Sequence, residues 1–171
     1  MHTKTVPDFS RRRALQRSLA LMGSTLLGLP LMSLAVTKTP LITVWKTPNC
    51  GCCKEWVTHL QTNGFEVLTR DVDDTGPIRK KAGLAEKFGS CHTAMLDGYV
   101  LEGHVPAQDI RRLLRERPKA LGLAVPGMPV GSPGMEMGAA RDAYDVVLVL
   151  KDGSSKTFQS YPAISSVKSK V

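Results

Sequence analysis

Three of the chain's four cysteines stand in one short segment, Thr47-Pro48-Asn49-Cys50-Gly51-Cys52-Cys53-Lys54. Cys50 and Cys53 form a C-x-x-C pair, and Cys52 adds a thiol inside it. The fourth cysteine lies in Ser90-Cys91-His92-Thr93. Two kinds of chemistry suit such a group. Thiolates exchange disulfides, with Cys50 attacking, Cys53 resolving, and Cys52 or Cys91 auxiliary. They also ligate soft metals, and there all four sulfurs count.

Whether the four can meet depends on the elements that carry them. Leu41 to Trp45 is a short β-rich run that ends at a turn signal, Thr47-Pro48-Asn49. Cys53, Trp56, Val57 and Leu60 then recur at i, i+3, i+4 and i+7, which predicts a helix that stops at Asn63-Gly64. Cys50 is thereby placed after the first strand, at the mouth of the first helix. Free backbone N–H groups and the helix dipole favour a thiolate there. Phe65 to Val72 reads as a second strand. Pro77 opens a helix carrying Ile78, Ala82, Ala85 and Phe88, with Gly83 as its weak point. His92 to Leu96 and Tyr99 to Glu102 flank Asp97-Gly98, a hairpin turn signal. Pro106 starts a further helix with Ile110, Leu113 and Leu114 on one face, and Pro118 ends it.

The resulting α/β order, β-α-β-α-β-β-α, is thioredoxin-like, with a parallel first β-α-β unit and an antiparallel hairpin. In such a sheet the start of the third strand faces the N-terminus of the first helix, so Cys91 joins the other three cysteines. This domain is assigned residues 36–118. Residues 119–171 form an extension packed on it. Leu121 to Gly138 is rich in Gly and Pro and is expected to form no regular element. Tyr144 to Leu150 and Lys156 to Tyr161 form a β-hairpin about Asp152-Gly153.

Structural disulfides are the usual use of four cysteines in an exported protein. Here they fit awkwardly, because vicinal Cys52 and Cys53 pair poorly and a tight cluster staples little chain. Zinc is allowed, although only one C-x-x-C knuckle is present. The spacings usual for iron–sulfur clusters are absent. Met128, Met135 and Met137 favour Cu(I): they lie in an aperiodic loop with no face to bury, and thioethers are soft, neutral donors. His104, in Gly103-His104-Val105-Pro106, is placed ahead of His92 as a ligand or supporting donor. His92 is expected to point away from the cluster, since strand neighbours alternate faces.

The net charge of +8 is uneven, with half of it in residues 1–35. Those residues combine Ser10-Arg11-Arg12-Arg13 with an apolar stretch from Leu19 to Ala35, softened by Gly23, Gly28 and Pro30 and ending in Ser33-Leu34-Ala35. They read as a cleaved export signal that resembles the twin-arginine type, which points to the periplasm. The remainder is mildly basic without an aromatic-interleaved stripe, so nucleic-acid binding is not expected. Nor is stable membrane insertion once the signal is cleaved.

Beyond the cysteine motif, Ser90-Cys91-His92-Thr93-Ala94, the run from Asp97 to Pro106, and Gly122-Leu123-Ala124-Val125-Pro126-Gly127-Met128-Pro129-Val130-Gly131-Ser132-Pro133-Gly134-Met135-Glu136 together resemble the CopG-type C-x-C-C proteins. These are exported proteins of Gram-negative bacteria associated with copper resistance. The resemblance spans roughly Leu41 to Tyr161. It implies a thioredoxin-like domain whose C-terminal extension helps bind metal. It also implies a multinuclear Cu(I) cluster bridged by the thiolates of Cys50, Cys52, Cys53 and Cys91, with Met128, Met135 and His104 as outer ligands. Met137 follows the matched string. The cis-proline that ordinary thioredoxins place before the third strand is missing, since Cys91-His92-Thr93 occupies that region. Two functions are therefore expected to compete. One is copper binding for sequestration or redox handling, with an oxidoreductase activity and a periplasmic redox or copper-transfer partner as corollaries. The other is thiol–disulfide exchange by Cys50 and Cys53.

Overall fold

The protein is described by a computed structural model over residues 40–165. The segment read as an export signal, residues 1–35, lies outside the described residues. Among those described, no helix is long and apolar enough to cross a membrane.

In chain order the elements are β1 (Leu41–Lys46), α1 (Gly51–Thr62), β2 (Glu66–Asp71), α2 (Gly76–Lys81), a 3-10 turn (Glu86–Phe88), β3 (His92–Leu96), β4 (Tyr99–Glu102), α3 (Ala107–Glu116), β5 (Gly122–Ala124), β6 (Tyr144–Val149) and β7 (Ser155–Tyr161). All seven strands form one mixed sheet in the order β2-β1-β3-β4-β5-β6-β7. The first two strands run parallel, with Leu41 opposite Glu66, as a β-α-β unit requires. The β3–β4 hairpin is antiparallel, with Leu96 opposite Tyr99 across Asp97-Gly98. Because β1 and β3 are antiparallel neighbours, with Lys46 opposite His92, the end of β1 and the start of β3 lie side by side. That register brings Cys50 and Cys91 to the same end of the sheet.

Helices α1 and α3 cover one face. Trp56, Val57 and Leu60 of α1 and Ile110 and Leu113 of α3 pack with Ile42, Val44, Leu101, Leu123 and Leu148 of the strands. Trp56 is fully buried, and its indole N–H donates to the Val105 carbonyl at 2.9 Å. Truncating such a side chain costs about 3–5 kcal/mol. The segment from Ala82 to Phe88 covers the opposite face over Val100, Ala124 and Val149.

Two expectations are corrected. The helix read from Pro77 to Phe88 is two pieces. α2 ends at Lys81, and Gly83 adopts φ +79° before the 3-10 turn. Only glycine enters that conformation without strain, so the break falls on it. The Gly/Pro-rich stretch from Leu121 also contains a strand. β5 pairs parallel with β4 and antiparallel with β6, so the C-terminal strands continue the sheet. A Cβ on Gly122 would collide with the Val100 carbonyl oxygen. The glycine that argued against a strand is what lets this one approach β4.

Candidate metal centre

Cys50 caps the N-terminus of α1. Its Sγ accepts the Cys53 backbone N–H at 3.2 Å, satisfying one of the amides a helix start leaves free. In this structure Cys50 and Cys53 are joined by a disulfide. Cys52 and Cys91 are free thiols. Cys52 Sγ lies 3.5 Å from Cys50 Sγ and 3.8 Å from Cys91 Sγ. The four sulfurs all lie within 4.8 Å of one another, and Cys53 is the most buried of the four. The convergence expected from the strand order is therefore present, and the cluster can hold a metal ion.

Cys91 stands one residue before β3, on a bend fixed by a buried ion pair. Glu102 is wholly inaccessible to solvent. It accepts the Ser90 backbone N–H at 2.8 Å, Arg79 Nε at 2.9 Å and Thr93 Oγ1 at 2.7 Å. Arg79 also donates to the Ser90 carbonyl at 3.0 Å and to both Glu86 oxygens at 2.8 and 2.9 Å. Both backbone groups of Ser90 are held, which fixes the approach to Cys91. Periodicity gave no sign of this: Glu102 reads as a polar residue ending a strand, and Arg79 as one cation among three at the end of α2.

The histidines depart from expectation in part. His104 is fully buried, and its Nδ1 lies 2.8 Å from the Pro133 carbonyl oxygen. A carbonyl only accepts, so Nδ1 carries the proton and Nε2 keeps its lone pair. Nε2 sits 3.1 Å from Cys91 Sγ. His92, expected to face away, has Nδ1 3.3 Å from the same sulfur. Alternation fails here because Cys91 is in a bend and only His92 belongs to the strand. The His92 ring packs 4.3 Å from Trp56 and 5.0 Å from His104, centroid to centroid, and its Nε2 has no hydrogen-bond partner. Burial, with His104 beside it, pulls His92 down to about 3, and burial also lowers His104. Both imidazoles are thus neutral at neutral pH, the form that ligates metals. Burial, reinforced by Cys52, pushes the Cys91 thiol up to about 12, so without a cation it keeps its proton.

The methionine loop is fastened around these groups. The Gly127 N–H donates to the Gly89 carbonyl at 3.0 Å, and Ser90 Oγ donates to the Gly127 carbonyl. Met128 therefore adjoins the Cys91 bend, although its side chain is exposed. Pro133 holds His104. Gly134, at φ +85°, lies against the first turn of α1, where an added Cβ would stand 2.7 Å from both the Cys52 oxygen and the Trp56 nitrogen. Met135 follows directly and is half-buried. Once the Cys50–Cys53 bond is reduced, four thiolates and a neutral imidazole nitrogen make a donor set suited to a soft metal cation.

A family model described as "Protein of unknown function, DUF411" matches residues 88–135, from the end of the 3-10 turn to Met135. Two solved structures are similar. One, described as "Copper resistance protein copG- Form 1", is 48% identical with a TM-score of 0.70, and the match covers 73% of this chain and 99% of that one. The other, "Copper resistance protein copG- Form 2", is 47% identical with a TM-score of 0.70, over 73% of this chain and 100% of that one. No curated protein matches the chain.

Proposed function

The chain belongs to the CopG-type family of copper resistance proteins, and on that premise we propose that it is an exported, periplasmic protein of thioredoxin-like ancestry that binds Cu(I) through Cys50, Cys52, Cys53 and Cys91. The observation that carries this is the gathering of four sulfurs within 4.8 Å of one another. His104, Met128 and Met135 are the outer donors. Thiolates bridge, so four cysteines can hold more than one ion. The copper is cargo, sequestered or passed between oxidation states under metal stress, with a periplasmic redox or copper-transfer protein as partner.

All four thiolates become available only when the Cys50–Cys53 disulfide takes up two electrons and two protons. Each thiol that binds copper then gives up its proton to solvent, and for Cys91 a cation must repay the cost of burying the resulting charge. The neutral, buried His104 adds a donor without adding charge.

A second reading has one observation in its favour: Cys50 and Cys53 are bonded in the structure, as in a resting thiol–disulfide oxidoreductase. One experiment separates the two. Reduced, anaerobic protein is titrated with a Cu(I) complex of known affinity, with Zn(II) as control, while bound metal and free thiols are counted. More than one copper per chain with all thiols protected supports the copper function. Cys52→Ser and Cys91→Ser then each cripple uptake. Normal copper loading by Cys52→Ser, or no tight uptake by the wild type beside a readily reversible Cys50–Cys53 disulfide, would leave the exchange reading standing instead.

A further inference from the structure

The proposed ligand set leaves Met137 without a task. It is the most exposed of the large apolar side chains named here, at 72%, and Met128 follows at 53%. A thioether so open to water makes a poor permanent ligand for a buried cluster. It is well suited to brief capture of Cu(I), because it is a soft, neutral donor that cannot be lost to disulfide formation.

Its position gives that capture a destination. Gly134 rests on the carbonyl of Cys52, and Pro133 holds His104. Three residues beyond Gly134, Met137 lies within a chain reach of about 10 Å of that anchor. The intervening Glu136 is exposed and folds back, accepting the Gly134 N–H at 2.7 Å. Burial lowers the pKa values of His59 and His104, and the negative charge of Glu136 works against that at both. Beyond Met137 the turn is closed by a bridge between Met137 and Ala140. An exposed thioether, a carboxylate beside it and a rigid anchor on the cysteine helix thus follow one another along four residues.

We propose that Met137, assisted by Glu136, is the capture site through which Cu(I) enters the cysteine cluster. This rests on the copper function proposed above. The step is a ligand exchange with no change of oxidation state. The bond from Met137 sulfur to Cu(I) breaks as a bond from a cysteine sulfur forms, and the displaced thiol proton goes to solvent.

The test uses the reduced, full-length protein and a coloured Cu(I)–bicinchoninate complex as donor, with loss of colour followed by stopped flow. Met137→Leu keeps the size and removes the donor. It is expected to slow loading on the order of tenfold while leaving final stoichiometry and affinity unchanged. Met137→His, which restores a donor, recovers the rate. Glu136→Gln slows loading at low salt and matches wild type at high salt. Loading of Met137→Leu at the wild-type rate overturns the capture site alone. A lower final stoichiometry in that variant also overturns it, by making Met137 a resident ligand. A wild-type protein that takes up no copper overturns the copper function, and the capture site with it.

Discussion

His104 donates its Nδ1 proton to the carbonyl of Pro133 at 2.8 Å, and so turns an unprotonated Nε2 toward Cys91 Sγ, 3.1 Å away. The two residues are 29 positions apart, on a turn before α3 and on the methionine loop. The loop thereby selects the tautomer of a histidine that adjoins the cysteine cluster. Metal-ligating histidines are commonly oriented in this way by a carbonyl or carboxylate on the other ring nitrogen.

Replacing His104 by alanine is expected to weaken Cu(I) binding about 10–100-fold. Competition against a chelator of known affinity measures it. An unchanged affinity would remove His104 from the ligand set.

Arg79→Ala is expected to cost about 3–5 kcal/mol in urea unfolding, because it strands the buried Glu102 carboxylate. Glu102→Gln keeps the shape and most of the hydrogen bonds and should cost less. If the network positions Cys91, Arg79→Ala also speeds alkylation of that thiol in the native protein. A variant that loses stability without any gain in Cys91 reactivity would limit the pair to a structural role.

Gly134→Ala places a methyl 2.7 Å from two backbone atoms of α1, at a φ that disfavours any Cβ. The loop must lift, at about 1–3 kcal/mol. Because Pro133 moves with it, copper affinity should fall as it does for His104→Ala. Combining the two substitutions should give little further loss, which a double-mutant cycle reads directly.

Asp109 supplies a pH dependence away from the cysteines. It is 3% exposed, and burial raises its pKa, against the hydrogen bond from Tyr161 on β7 at 2.7 Å and the charge of Arg112 on its own helix. Since the folded state holds the proton more tightly than the unfolded one, the associated stability is fully present below about 3.9, the ordinary aspartate value. It is lost as pH rises through the raised folded value. Asp109→Asn should flatten that decline in urea midpoints measured from pH 3 upward. An identical pH profile in both proteins would show that Asp109 does not titrate abnormally.

Short-range pattern in the sequence determined a large part of this protein. The apolar spacing from Cys53 to Leu60 specifies α1, and with it the position of Cys50 at a helix start. Asp97-Gly98 between two β-rich runs specifies the β3–β4 hairpin, which carries Cys91 at its threshold. These signals are legible because a helix period or a turn dipeptide is complete within a dozen residues. The gathering of the four cysteines is expected once those elements are placed in a thioredoxin-like strand order, and the antiparallel pairing of β1 with β3 delivers it.

Tertiary structure decided the rest. Arg79 and Glu102 meet across 23 positions, and only their burial in a common site makes them an anchor for Cys91. β5 exists because Gly122 lets the backbone close on β4, a contact that local propensity counts against. His92 turns to the cluster because the bend at Cys91 precedes the strand. His104 acquires its tautomer from a proline carbonyl on a distant loop. Each of these depends on which segments pack together, and that is set by the sum of many long-range contacts rather than by any local run of residues.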